Sequence, residues 1–120
     1  MTPLVLLAVA VGGALGAVLR QLTSVALAGR GRIPWGVLVV NVVGSLLAGL
    51  ALALPLDPTV QLIIVSGLCG GLTTFSTFAV ETIQLVSEGK HRAALANVAF
   101  TLALAVPAAL LGLAAATLVA

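Results

Sequence analysis

Apolar residues run along this chain in four long stretches, divided by three short polar interruptions. A helix that spans a bilayer needs about 20 mostly apolar residues. The first stretch runs from Pro3 to about Leu27 and carries one charge, Arg20. Ala28-Gly29-Arg30-Gly31-Arg32 ends it. The second predicted span covers positions 33 to 54, with Pro34 suited to a first helical turn and Trp35 to an interfacial anchor. Pro55-Leu56-Asp57-Pro58 closes it. The third covers positions 59 to 87 and the fourth 93 to 119, with Ser87-Glu88-Gly89-Lys90-His91-Arg92 between them. The pattern predicts an all-α integral membrane protein: one domain, residues 1–120, of four transmembrane helices.

The third stretch changes character halfway. Thr59 to Cys69 reads as ordinary apolar helix, after which come Gly70-Gly71-Leu72-Thr73-Thr74-Phe75-Ser76-Thr77-Phe78. Eleven residues at about 1.5 Å each cover roughly 16 Å, half of a ~30 Å hydrocarbon core. The polar, glycine-rich segment therefore falls near the bilayer midplane. Consecutive glycines cost helix propensity about 1 kcal/mol each, and two β-branched threonines do not restore it. One reading is a helix broken near 70–74 whose freed carbonyls bind a cation. The other is an unbroken helix packed closely through Gly70 and Gly71.

Composition supports the membrane assignment. Hydrophobic residues make up 62% and charged residues 7% of the chain, against about 45–50% and about 25% in soluble domains. Five Lys/Arg do not make a basic face for nucleic acid. A single cysteine, Cys69, excludes an intrachain disulfide and reads as a small apolar residue. No Lys or Arg precedes the first stretch, so it reads as a mature helix and not a signal peptide. Arg30, Arg32, Lys90 and Arg92 all fall in the first and third loops, with Arg20 toward that end of the first helix. The positive-inside rule then puts those loops in the cytoplasm and both termini outside.

Few residues can carry chemistry. Phe75 and Phe78 are three apart, so both rings can face one side. Electropositive ring edges turned toward a pore would favour an anion, although ordinary packing is the commoner reason for an isolated pair of this kind. Asn41 lies in an apolar run with Ser45 one turn on. Its amide faces either another helix or a pore, where its N–H groups can bind an anion. Arg20 either snorkels to the interface or forms a positive vestibule, and Arg20 and Glu81 are candidates for an internal ion pair. Asn97 and Thr101 sit one turn apart on the fourth helix, which Pro107 is expected to kink without ending. Gly12-x-x-x-Gly16 and Ser45-x-x-x-Gly49 allow close helix contact. His91 reads as a solvated loop residue, and no nucleophile–base pair or metal cluster suggests an enzyme.

The nine-residue segment Gly70 to Phe78 resembles the signature of the Fluc fluoride channels, also called the CrcB family. Gly12-Gly13-x-x-Gly16-Ala17-x-x-Arg20 is similar to that family's first helix, and Asn41-Val42-Val43-Gly44-Ser45 to its second. The resemblance implies passive export of fluoride, which relieves its toxicity, through two pores formed by two antiparallel subunits. It implies a structural, non-transported sodium ion held by the backbone carbonyls of Gly70 and Thr73, with half of the ligands from each subunit. It assigns Phe75 and Phe78 to the ring pair facing fluoride, Asn41 to the pore amide and Arg20 to the pore entrance. Hydroxyls of Ser76, Thr77 and Thr101 would add hydrogen-bond donors.

Two features depart from the family pattern. The hydroxyl track on the last helix is thin, with Ala105 one turn after Thr101. The charge bias is also strong for an antiparallel homodimer, so the second subunit is either a copy of this chain or an oppositely biased paralogue. A small four-helix coupled exporter of the multidrug type is the alternative, but this first helix has no acid and the chain no tyrosine.

Overall fold

The computed structural model describes residues 2–29 and 34–119. The expected start of the second helix at position 33, and the loop charges Arg30 and Arg32, lie outside the described residues. Every regular element among the described residues is helical. We label them α1 (Pro3–Ala26), α2 (Trp35–Ala53), α3 (58–72), α4 (Ser76–Ser87) and α5 (His91–Val119). Four helices are long and apolar enough to cross a membrane, with α3 and α4 counted together as Pro58–Ser87.

Local sequence accounts for the ends. Thr2 caps α1, its hydroxyl accepting from the Val5 amide at 3.2 Å, with Pro3 in the first turn. Asp57 does the same for α3, accepting from the Thr59 amide at 2.8 Å ahead of Pro58. Both are N-caps followed by proline, where the missing N–H costs nothing. Gln61 reaches back from α3 to the Ala51 carbonyl at 3.0 Å and so ties down the end of α2. The turn into α5 uses Gly89 at φ +77° and carries an ion pair, Lys90 to Glu88, at 3.6 Å. α5 runs through Pro107 to Val119 without interruption.

Glycines set how closely the helices approach. A Cβ at Gly16 would collide with the Leu68 carbonyl, and one at Gly71 with the Gly13 carbonyl. α1 therefore lies with its backbone against α3. Gly49 and Gly112 bring α2 and α5 together in the same way, against the Ala109 and Leu46 carbonyls. Such small-residue seams supply the packing that hydrophobicity cannot drive inside lipid. Large side chains point outward, including Leu4, Leu7, Leu22 and Leu118.

α3 is not uniform. Pro58–Leu62 is α-helical, Ile63–Cys69 is a π-helix, and Gly70–Leu72 returns to α geometry. The helical dihedrals then lapse at Thr73, which is extended with φ −84° and ψ 157°. They resume at Phe75 and Ser76. Gly70 itself is helical, with φ −62° and ψ −38°, so within the expected 70–74 segment the helix persists through both glycines and lapses at Thr73. The reason is packing. Gly71 is pinned against α1, whereas a Cβ at Gly70 would meet only the Val65 carbonyl, at 3.7 Å.

Candidate functional site: a polar cavity beside the helix interruption

The interruption is held by side chains. In a continuous α-helix the Thr74 amide would donate to the Gly70 carbonyl, and the Thr77 amide to the Thr73 carbonyl. Here the Thr74 amide donates to Asn41 Oδ1 at 2.8 Å, and Asn41 Nδ2 donates to the Thr74 carbonyl at 3.0 Å. The Thr77 amide donates to Thr74 Oγ1 at 3.1 Å. Thr74 is buried at the centre of this set, its hydroxyl also within 3.3 Å of Ser76 Oγ and 3.2 Å of Thr77 Oγ1. The carbonyls of Gly70 and Thr73 thus lose their helical donors. Gly70 is exposed and Thr73 partly so.

Beside the interruption lies a cavity of about 300 Å³ lined by Asn41, Ser45, Thr73, Thr74, Phe75, Phe78 and Thr101, with Leu102 and Ala105. α2 contributes Asn41 and Ser45, the interruption Thr73, Thr74 and Phe75, α4 Phe78, and α5 Thr101, Leu102 and Ala105. The two rings are 5.9 Å apart between centroids and tilted by 45°. Phe78 is partly covered, while Phe75 is 79% exposed. Ser45 Oγ donates to the Asn41 carbonyl at 2.7 Å, which fixes that turn of α2.

Of the residues singled out from sequence, Asn41, Thr73, Phe75, Phe78 and Thr101 line this cavity. Ser76 and Thr77 join it only through the Thr74 hydroxyl. Gly70 and Arg20 do not line it. The considered pairing of Arg20 with Glu81 is not formed: the ion pair among the described residues is Lys90 with Glu88. The two acids divide because Glu88 lies in the α4–α5 turn, two residues from Lys90, whereas Glu81 lies inside α4 with Oε2 buried.

Three residues emerge that sequence patterns did not mark as part of the site. Thr74 organises the interruption, and its only sequence signal was its place in the polar run. Asn97 is fully buried on α5, its Nδ2 donating to Thr82 Oγ1 at 2.9 Å. Thr82 in turn donates to the Phe78 carbonyl at 2.7 Å. This chain of hydrogen bonds ties α5 to the turn that carries the second ring. Asn97 Oδ1 and Thr101 Oγ1 are buried without a partner. No group of three or more His, Cys, Asp and Glu able to hold a metal occurs among the described residues. The side-chain oxygens that line the cavity are neutral amide and hydroxyl groups.

The chain was compared with known proteins. Residues 7–113 match the family described as CrcB-like protein, Camphor Resistance (CrcB). The "Fluoride-specific ion channel FluC 1" of Thermobifida fusca (strain YX) is 51% identical over 108 residues, 88% of this chain and 90% of the relative. The "Fluoride-specific ion channel FluC" of Serratia proteamaculans (strain 568) is 46% identical over 104 residues, 82% of each. That of Bordetella petrii (strain ATCC BAA-461 / DSM 12804 / CCUG 43448) is 43% identical over 121 residues, 97% of this chain and 94% of the relative. With matches that span the four helices and the polar cavity alike, this chain belongs to the CrcB-like family.

Proposed function

We propose that this chain is a subunit of a fluoride-specific ion channel, which lets fluoride leave the cell passively and so lowers its toxicity. The observation that carries the reading is the identity of up to 51% among the relatives quoted above, all named fluoride-specific ion channels. The cavity supports it chemically. Fluoride is small and strongly hydrated, so a path for it needs polar donors without a fixed charge that would trap it. Asn41, Thr101 and the ring edges of Phe75 and Phe78 supply that combination. Ser76 and Thr77 extend the donors along the first turn of α4. Arg20 would draw anions toward the entrance.

The functional unit is two subunits in antiparallel orientation, either two copies of this chain or this chain with an oppositely charge-biased paralogue. A Phe75 ring that is 79% exposed fits this, since it has little packing in its own subunit. The lapse in helix at Thr73 supports a break in the third span. Both termini lie outside the cell, by the charge bias of the loops.

A structural, non-transported sodium ion fits the interruption. Its ligands would be the carbonyls of Gly70 and Thr73, whose usual donors are turned to Asn41 and to Thr74 Oγ1. Neutral backbone carbonyls can replace the hydration shell of an alkali cation. Two carbonyls from each subunit would make a four-oxygen set.

Fluoride efflux from liposomes tests the function. The purified protein should release fluoride rapidly down fluoride's own gradient with no proton or sodium gradient coupled to it, and Phe75→Ile or Asn41→Asp should abolish the release. Proton-dependent drug uptake with no fluoride flux would instead identify a coupled exporter.

A further inference from the structure

Asn41 stands between the cavity and the carbonyls proposed to hold sodium, and its bonds show what it does there. Its side-chain amide faces the Thr74 peptide as a neighbouring β-strand would, accepting from the amide at 2.8 Å and donating to the carbonyl at 3.0 Å. Oδ1 is committed to this contact, and so is one hydrogen of Nδ2. Only the other Nδ2 hydrogen is left for an anion. The same contact removes the donor that would close the helix onto the Gly70 carbonyl. Thr74 repeats the device one step on, its hydroxyl taking the Thr77 amide away from the Thr73 carbonyl.

We infer that Asn41 is a positioning residue for the cation site: by engaging the Thr74 amide it keeps the Gly70 carbonyl free to bind sodium, while the Thr74 hydroxyl does the same for Thr73. The inference rests on the sodium reading above and deepens it. One side chain then serves both ions. Its Oδ1 holds the sodium carbonyl open, and its remaining N–H faces the cavity that fluoride would cross. The pore and the cation site are coupled through a single amide on α2.

The role of Asn41 makes the two atoms of its amide separable. Asn41→Leu removes both. The Thr74 amide, with no side-chain acceptor, turns back to the Gly70 carbonyl and competes with the cation. Asn41→Asp keeps an oxygen acceptor for the Thr74 amide and, with its other oxygen protonated, a donor for the Thr74 carbonyl, but it has no hydrogen left to offer the cavity. Thr74→Val leaves Asn41 in place and returns the Thr77 amide to the Thr73 carbonyl.

The experiment measures melting temperature of the purified channel against sodium concentration, with N-methylglucamine holding ionic strength constant, alongside fluoride efflux. A ligand that binds only the folded state raises its melting temperature as the ligand is added. In Asn41→Leu the sodium midpoint, the concentration equal to Kd above which the melting temperature climbs steadily with the logarithm of sodium concentration, should rise about tenfold or more. Thr74→Val should shift it in the same direction, and carries the test if Asn41→Leu does not fold. Asn41→Asp should keep a sodium midpoint near that of the unmodified chain while losing fluoride efflux. Unchanged sodium midpoints in Asn41→Leu or Thr74→Val would overturn the inference. So would an Asn41→Asp midpoint shifted as far as that of Asn41→Leu. An unmodified chain whose melting ignores sodium would instead overturn the sodium reading, and this inference with it.

Discussion

Phe75 and Phe78 lie one helical turn apart with ring centroids separated by 5.9 Å, yet the subunit covers them very unequally. Phe78 is partly covered, while Phe75 is 79% exposed. An aromatic ring that contributes so little to its own subunit is expected to act elsewhere. Phe75→Ile should therefore leave the melting temperature of the protein nearly unchanged and cut fluoride efflux by at least about tenfold, a barrier increase of ~1.4 kcal/mol. A fluoride electrode on proteoliposomes, with melting followed in parallel, checks both halves.

The glycine seams predict a contrast between neighbours. Gly71→Val would drive a side chain into the Gly13 carbonyl, and backbone cannot yield as a flexible side chain can. Overpacking of this kind costs about 1–3 kcal/mol or more. Gly70→Ala adds a Cβ with only the Val65 carbonyl near it, so the subunit's own packing should tolerate it. Thermal melting should show a clear drop for Gly71→Val and little change for Gly70→Ala. Equal effects would mean that α3 does not meet α1 as described.

Asn97 is fully buried, with Nδ2 on Thr82 and Oδ1 without a partner. Asn97→Ala removes a hydrogen bond worth about 0.5–1.5 kcal/mol and leaves a cavity as well. Asn97→Leu fills the space and removes the unpaired oxygen, so its loss should be the smaller. Melting of the two variants gives the order. A leucine variant less stable than the alanine variant would mean that Oδ1 has a partner in the membrane, such as water.

The loop charges predict a preferred orientation. Lys90 and Arg92 flank the start of α5, and no Lys or Arg lies in the Asp57 turn. Reporter fusions or cysteine labelling of the chain expressed alone should find most molecules with the termini outside. An even mixture of orientations would count against a required, oppositely biased partner.

That the chain holds four helices apolar enough to span a membrane was readable in the sequence, because it depends on a local fact. A run of apolar residues long enough for the bilayer needs no partner to be recognised. The polar run on the third span was also visible, since paired glycines and threonines depart from an ordinary apolar helix. Where the helix lapses was decided only by tertiary structure. Local propensity marked the 70–74 segment without choosing a residue in it, but packing against α1 holds Gly71 helical, and Asn41, more than thirty residues away in sequence, captures the Thr74 amide. Propensity measures what a residue prefers alone. It carries no information about which distant side chain will take the next hydrogen bond, and here that side chain sets the conformation.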